Sequence, residues 1–145
     1  MSAEDIKDAA QFIYNDLRMK TFPVAVRFLK EGESFPEKTR QPSVALGKRV
    51  AICQGVTMAR NYGWTVGLRK EDVVCVPAAI VFGLSGAEDP AGAVTGLFTE
   101  VNFSIDRDRA ASETSSMSRF QKGEIEGILM APLAKASFEA QLVLF

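Results

Sequence analysis

The stretch FPVAVRFL, residues 22–29, decides the fold class. Its valines and phenylalanines alternate as in a half-buried strand, and Pro23 stands at the beginning, where a strand best tolerates a missing N–H. It is predicted as a strand near a sheet edge. Upstream, Ile6, Ala9, Ala10, Ile13 and Leu17 recur at helical spacing behind Ser2 and Asp5, which have the pattern of an N-cap with an acidic third position. An amphipathic helix followed by an alternating strand points to an α+β domain.

Downstream, KEGESFPEKTRQP (residues 30–42) mixes charge, glycine and two prolines without periodicity, as a surface loop covering a site would. GKRVAICQGVTMARNYG (residues 47–63) puts Val50, Cys53, Val56 and Ala59 or Arg60 on one helical face and ends at Gly63 as at a C-cap. Cys53 is therefore expected on or beside a buried stripe. WTVGL is a short strand, RKED a polar turn, and VVCVPAAIVFGL (residues 73–84) a helix with Pro77 in its first turn. That puts Cys75 at or just before a helix N-terminus. Residues 85–96, with Gly86, Pro90, Gly92 and Gly96, read as a loop or broken segment, and LFTEVNFSI (residues 97–105) as a strand. DRDRAASETSSMSRFQKG (residues 106–123) reads as a polar-faced helix using Ala110, Thr114, Met117 and Phe120 and closed by Gly123; IEGILMAPL and FEAQLVLF are two further strands. The expectation is a single α+β domain over residues 1–145, a mixed or antiparallel sheet covered by three to four helices.

The 145 residues suffice for one domain that buries about two-thirds of the surface of its unfolded chain. A composition of 47% hydrophobic and 24% charged residues sets aside disordered, collagen-like and coiled-coil classes. With 17 basic and 18 acidic side chains the net charge is −1, which lacks the basic excess of a nucleic-acid binder, so no nucleic-acid partner is expected. No window approaches the roughly 18 apolar residues of a membrane span. The first twenty residues carry charge from Glu4 onward without an apolar run, unlike a signal peptide. A cytoplasmic location follows, where two cysteines are expected as thiols or ligands rather than as a disulfide.

Those thiols carry the chemistry. A thiolate at a helix N-terminus is favoured by the dipole and the free N–H groups, which makes Cys75 a candidate reactive thiol or metal-binding thiolate. Flanked by Val73, Val74 and Val76, it is equally a small buried hydrophobe. The chain contains no histidine, so Ser-His-Asp and Cys-His pairs are excluded, and a zinc site would have to draw on carboxylates. An iron–sulfur cluster takes four thiolates, and two per chain suffice when a dimer shares the cluster across its axis. Lys48, Arg49, Arg60, Arg69 and Lys70 bracket the cysteines and would stabilise thiolates or an anionic ligand where they converge. GLSGAEDPAG matches neither the dinucleotide fingerprint nor a Walker loop. The serines and threonines at 112–118, near Arg107, Arg109 and Arg119, suit either a phosphate or a solvated helix face.

Taken together, Pro23 to Val26, Cys53 with Ala59 and Arg60, Cys75 with Gly83 and Leu84, and Ala131 to Leu133 resemble the uncharacterised prokaryotic family called domain of unknown function 169. The resemblance spans nearly the whole chain and brings no established activity. It implies that the two cysteines belong to one pattern. It also implies a second portion beyond LVLF holding further cysteines, of which this chain would be a truncated or short form.

The function expected is a cytoplasmic redox or cofactor-binding protein in which Cys53 and Cys75, together at the ends of two helices and with Arg60 beside them, hold an iron–sulfur cluster. The cluster would lie within a homo-oligomer served by a redox partner protein. The alternatives are a thiol enzyme with Cys75 as nucleophile and Cys53 as resolving partner, and a structural module that self-associates through FEAQLVLF.

Overall fold

The computed structural model describes residues 3–85 and 89–145. Its frame is a four-stranded, wholly antiparallel sheet built from β1 (Val24–Leu29), β2 (Val66–Leu68), β3 (Gly127–Pro132) and β4 (Leu142–Leu144), in the order β2-β3-β1-β4. β1 pairs with β3 from Val24 opposite Pro132 to Leu29 opposite Gly127, and with β4 from Val24 opposite Leu144 to Val26 opposite Leu142. The strand expected near an edge is thus an inner one. Pro23 stops one residue short of the ladder, and its carbonyl accepts the Leu133 N–H at 2.8 Å, so its missing donor costs no sheet hydrogen bond. Of FEAQLVLF, only Leu142–Leu144 joins the sheet, as the edge strand β4.

Strand alternation sorts the sheet into two faces. Val24, Val26, Val66, Leu68, Ile128 and Met130 point to one side, where α3 (Ile52–Tyr62) covers them. The approach is close because Gly55 has no side chain: a Cβ there would sit 2.7 Å from Met130 Cε and 3.0 Å from Leu68 Cδ1. Full burial of Leu68 and Met130 contributes about 2 kcal/mol each. On the other face α1 (Ala3–Asp16) sets Ala10 against Ala25, Ala131 and the 3-10 turn Leu133–Lys135. The Ser2 cap expected for α1 lies outside the described residues. Beyond α1, the loop after β1 lays Phe35 directly on the sheet, since a Cβ on Gly67 would meet its ring at 2.8 Å. That loop covers the core.

Two helices were not anticipated. The single turn α2 (Pro42–Ala45) follows the loop, and α5 (Pro90–Glu100) takes the place of the second half of the expected loop at 85–96 and the first half of the expected strand at 97–105, whose remainder is a turn. Asp89 caps α5 by accepting the Gly92 N–H at 2.9 Å, and Pro90 suits its first turn. Residues 86–88, including Gly86 of the expected loop, lie outside the described residues. After α5 the chain reverses through Asn102 (φ 56°) into α6 (Arg107–Ser116), capped by the Asp106 carboxylate on the Arg109 N–H at 2.8 Å. α6 ends before Met117 and Phe120; Phe120 instead inserts beside Phe28 and Phe82, with ring centroids 5.1 and 6.3 Å away. α5 packs along α6 and touches α4 (Val76–Val81).

Candidate functional site

The elements around the cysteines are tied together by backbone pairing and one buried carboxylate. Val50 and Val73 form an isolated parallel bridge, with the Val50 N–H donating to the Asp72 carbonyl at 2.7 Å and the Val74 N–H to the Val50 carbonyl at 3.0 Å. The Arg49 guanidinium adds a further bond to the Val73 carbonyl. Two chain segments therefore leave the bridge side by side, spaced like neighbouring strands at about 4.8 Å, and each enters a helix at once.

Cys53 lies in the first turn of α3, and Cys75 is the N-cap of α4. Both are free thiols. Cys53 is exposed, so of the places expected for it, on or beside a buried stripe, it is off the stripe: the core side of α3 is carried by Gly55 and Ala59. Cys75 is half-buried, between Val74 and Val76, which are 52% and 58% exposed, so its setting is a surface rather than a core. Its side chain makes no capping hydrogen bond. In α3 the cap is half of a capping box, the Gln54 Oε1 accepting the Ala51 N–H at 2.8 Å.

Asp72 is the anchor beneath this site, and sequence reasoning assigned it only to a polar turn. It is completely buried. Its Oδ2 accepts the Arg69 N–H at 2.9 Å, closing the turn before Val73, while its Oδ1 takes both the N–H (3.1 Å) and the hydroxyl (2.5 Å) of Ser43 in α2. Ser43 stands 29 positions away, and no local pattern signals the contact. One carboxylate thus fixes α2, the turn after β2 and the bridged segment at Val73 that leads to Cys75.

The basic residues scatter. Arg60 sits in the last turn of α3, about 10 Å of helix rise from Cys53, and donates to the Phe145 carbonyl at 3.0 Å. Its Nε is buried without a partner. Arg69 turns toward Glu126 (3.4 Å) and the Glu33 carbonyl (2.9 Å), with the Phe35 ring 5.0 Å from its guanidinium. Arg49 and Lys70 line one depression beside Val74 and Val76. No group of three or more Cys, Asp or Glu residues able to hold a metal occurs among the described residues. At the serine-rich helix, Thr114 is buried and bonds the Ala110 carbonyl, Ser115 and Ser116 bond helix carbonyls, and Arg109 pairs with Glu113 at 3.0 Å. Those hydroxyls serve the helix itself.

No helix of the described residues is long and apolar enough to cross a membrane. Neither the curated proteins nor the solved structures yielded a match to the chain. A family model described as "Uncharacterised ArCR" matches residues 13–145, from the last turn of α1 through all four strands and both cysteines. By that match the chain belongs to the family DUF169, domain of unknown function 169.

Proposed function

We propose that Cys53 and Cys75 are a paired thiolate ligand set and that two copies of the chain complete it around an iron–sulfur cluster. The observation carrying this reading is the Val50–Val73 bridge, an isolated pair from which both cysteine-bearing helices start side by side. A cluster takes four thiolates, and the chain contains two cysteines and no histidine. One chain supplies half the ligands, and a two-fold axis supplies the rest. The exposure of Cys53 and of the valines around Cys75 supports such a contact, because an isologous interface buries an accessible apolar surface. The protein acts in the cytoplasm, where thiols stay reduced, and exchanges electrons with a redox partner protein.

The test is anaerobic ultraviolet–visible spectroscopy with iron and sulfide analysis of the wild type beside Cys53→Ser and Cys75→Ser. Charge-transfer absorption with stoichiometric iron and sulfide, lost together with a cluster-dependent dimer in both variants, is the expected result. A colourless, iron-free wild type purified and reconstituted anaerobically would overturn it.

The second reading is a dithiol redox enzyme, favoured by the pairing of a half-buried with an exposed thiol. Cys75 would attack the substrate and Cys53 would resolve the adduct, leaving a disulfide after two electrons and two protons pass to a disulfide or peroxide substrate. It predicts fast alkylation of Cys75 at neutral pH and a Cys53–Cys75 disulfide in peptide maps after oxidation.

A further inference from the structure

The polar groups that the thiol site does not use converge elsewhere. A cavity of about 410 Å³ lies between the turn after β2, the end of α4 and the turn before β3, with Lys70, Gly83, Leu84, Lys122, Gly123 and Ile125 in its wall. It adjoins the smaller depression of about 250 Å³ beside Val74 and Val76, the two sharing Lys70, Leu84 and Ser85. The combined groove is of ordinary ligand-site size. Its cations are Arg49, Arg69, Lys70 and Lys122, and its carboxylates are Glu71 and Glu126.

Arg69 and Glu126 neutralise one another at 3.4 Å, and Arg49 is held by the Val73 carbonyl. The side chains of Lys70 and Lys122 have no hydrogen-bond or ion-pair partner among the described residues, and both residues border the larger cavity. Glu71, whose carboxylate is likewise unpaired among the described residues, offsets one of them, but four cations against two carboxylates still leave the groove with a local positive field on a chain of net charge −1. The same cavity has apolar wall residues in Leu84 and Ile125, each less than a tenth exposed. The shape of that wall is built in: Gly83 has φ 64°, and a Cβ there would fall 2.3 Å from the Gln121 carbonyl oxygen, so the end of α4 lies tight against the segment carrying Lys122. The Phe120 N–H bonds the Val81 carbonyl at 2.9 Å and the Gly123 N–H the Gly83 carbonyl at 3.3 Å, fixing the two walls to each other.

We infer that this groove binds a small organic anion, its charged group between Lys70 and Lys122 and its apolar body on Leu84 and Ile125. Neither cysteine lines the groove, and Val74 and Val76, which the cluster reading places in a dimer contact, border only its smaller part, so the anion is assigned to the larger cavity, which neither valine lines.

Phenyl phosphate is the probe, titrated into the full-length ¹⁵N-labelled protein up to about 10 mM, a range that reveals affinities as weak as millimolar. Saturable shifts are expected at the amides of Gly83, Leu84 and Gly123. The double variant Lys70→Gln/Lys122→Gln, whose substitutions lie on exposed positions and leave the fold intact, is expected to bind about tenfold more weakly. Cys53→Ser/Cys75→Ser is expected to bind as the wild type does, which separates this result from the fate of the cluster. Absence of saturable shifts, or unchanged affinity in the lysine double variant, would overturn the inference. So would equal affinity for phenyl phosphate and inorganic phosphate, because Leu84 and Ile125 would then contribute nothing.

Discussion

Replacing Asp72 by alanine removes three hydrogen bonds from a place that water does not reach. The Ser43 hydroxyl can rotate toward another acceptor, but the N–H groups of Ser43 and Arg69 are fixed by the backbone and lose theirs. Each buried donor left unpaired costs about 1–3 kcal/mol, so the substitution is expected to destabilise by about 4 kcal/mol. For a chain of this length that lowers the melting temperature by roughly 10 °C. Urea unfolding followed through Trp64, the single tryptophan, measures it directly. Ser43→Ala is the graded control: it removes the 2.5 Å hydroxyl bond, keeps the backbone one, and is expected to cost about 1 kcal/mol. A loss below about 1 kcal/mol in Asp72→Ala, or one no larger than in Ser43→Ala, would refute the anchoring role.

Gly83→Ala is expected to destabilise by about 3 kcal/mol in the same assay, because alanine both resists the left-handed φ and strikes the Gln121 carbonyl. Asp106→Ala should cost about 1 kcal/mol through loss of the α6 cap, read as an earlier loss of helical circular dichroism on heating. The Ser104 hydroxyl, and after it the Arg109 guanidinium, hold Glu113 below the ordinary carboxylate range. A group with a lowered folded-state value contributes stability that is fully present above its unfolded value and is lost as pH falls through the folded one. A carbon-detected titration should therefore find Glu113 ionised to lower pH in the wild type than in Ser104→Ala, with Arg109→Gln shifting it less.

Periodicity made most of the scaffold legible, and its failures have physical causes. β1 and β3 are covered on both faces, by α3 on one and by α1 and Phe35 on the other, so β3 reads as a continuous apolar run and β1 is broken only by Arg27. Pro23 suggested an edge because a proline inside a ladder removes a donor, yet the residue lies just outside it. α5 escaped detection because PAGAVTGLFTE is apolar nearly all round: a helix packed between neighbours shows no polar face, and its Leu97–Phe98 end can be read equally as a strand. Only the Asp89–Pro90 start distinguishes the two. At the site, the helix carrying Cys53 was readable from its periodicity and its end at Gly63 and the one after Cys75 from Pro77 at its start, whereas the bridge joining them was not. Val50 and Val73 are single paired residues without a strand around them, and the Asp72–Ser43 contact is set by tertiary folding alone.

The central position of β1 has a further consequence for how the protein is made. Both of its neighbours, β3 and β4, follow it by about a hundred residues, so vectorial synthesis delivers Val24–Leu29 long before either partner leaves the ribosome. During that interval VAVRFL is an apolar strand with two open edges, the kind of segment that pairs with other chains. Its two edges close only when residues 127–144 pair on either side of it.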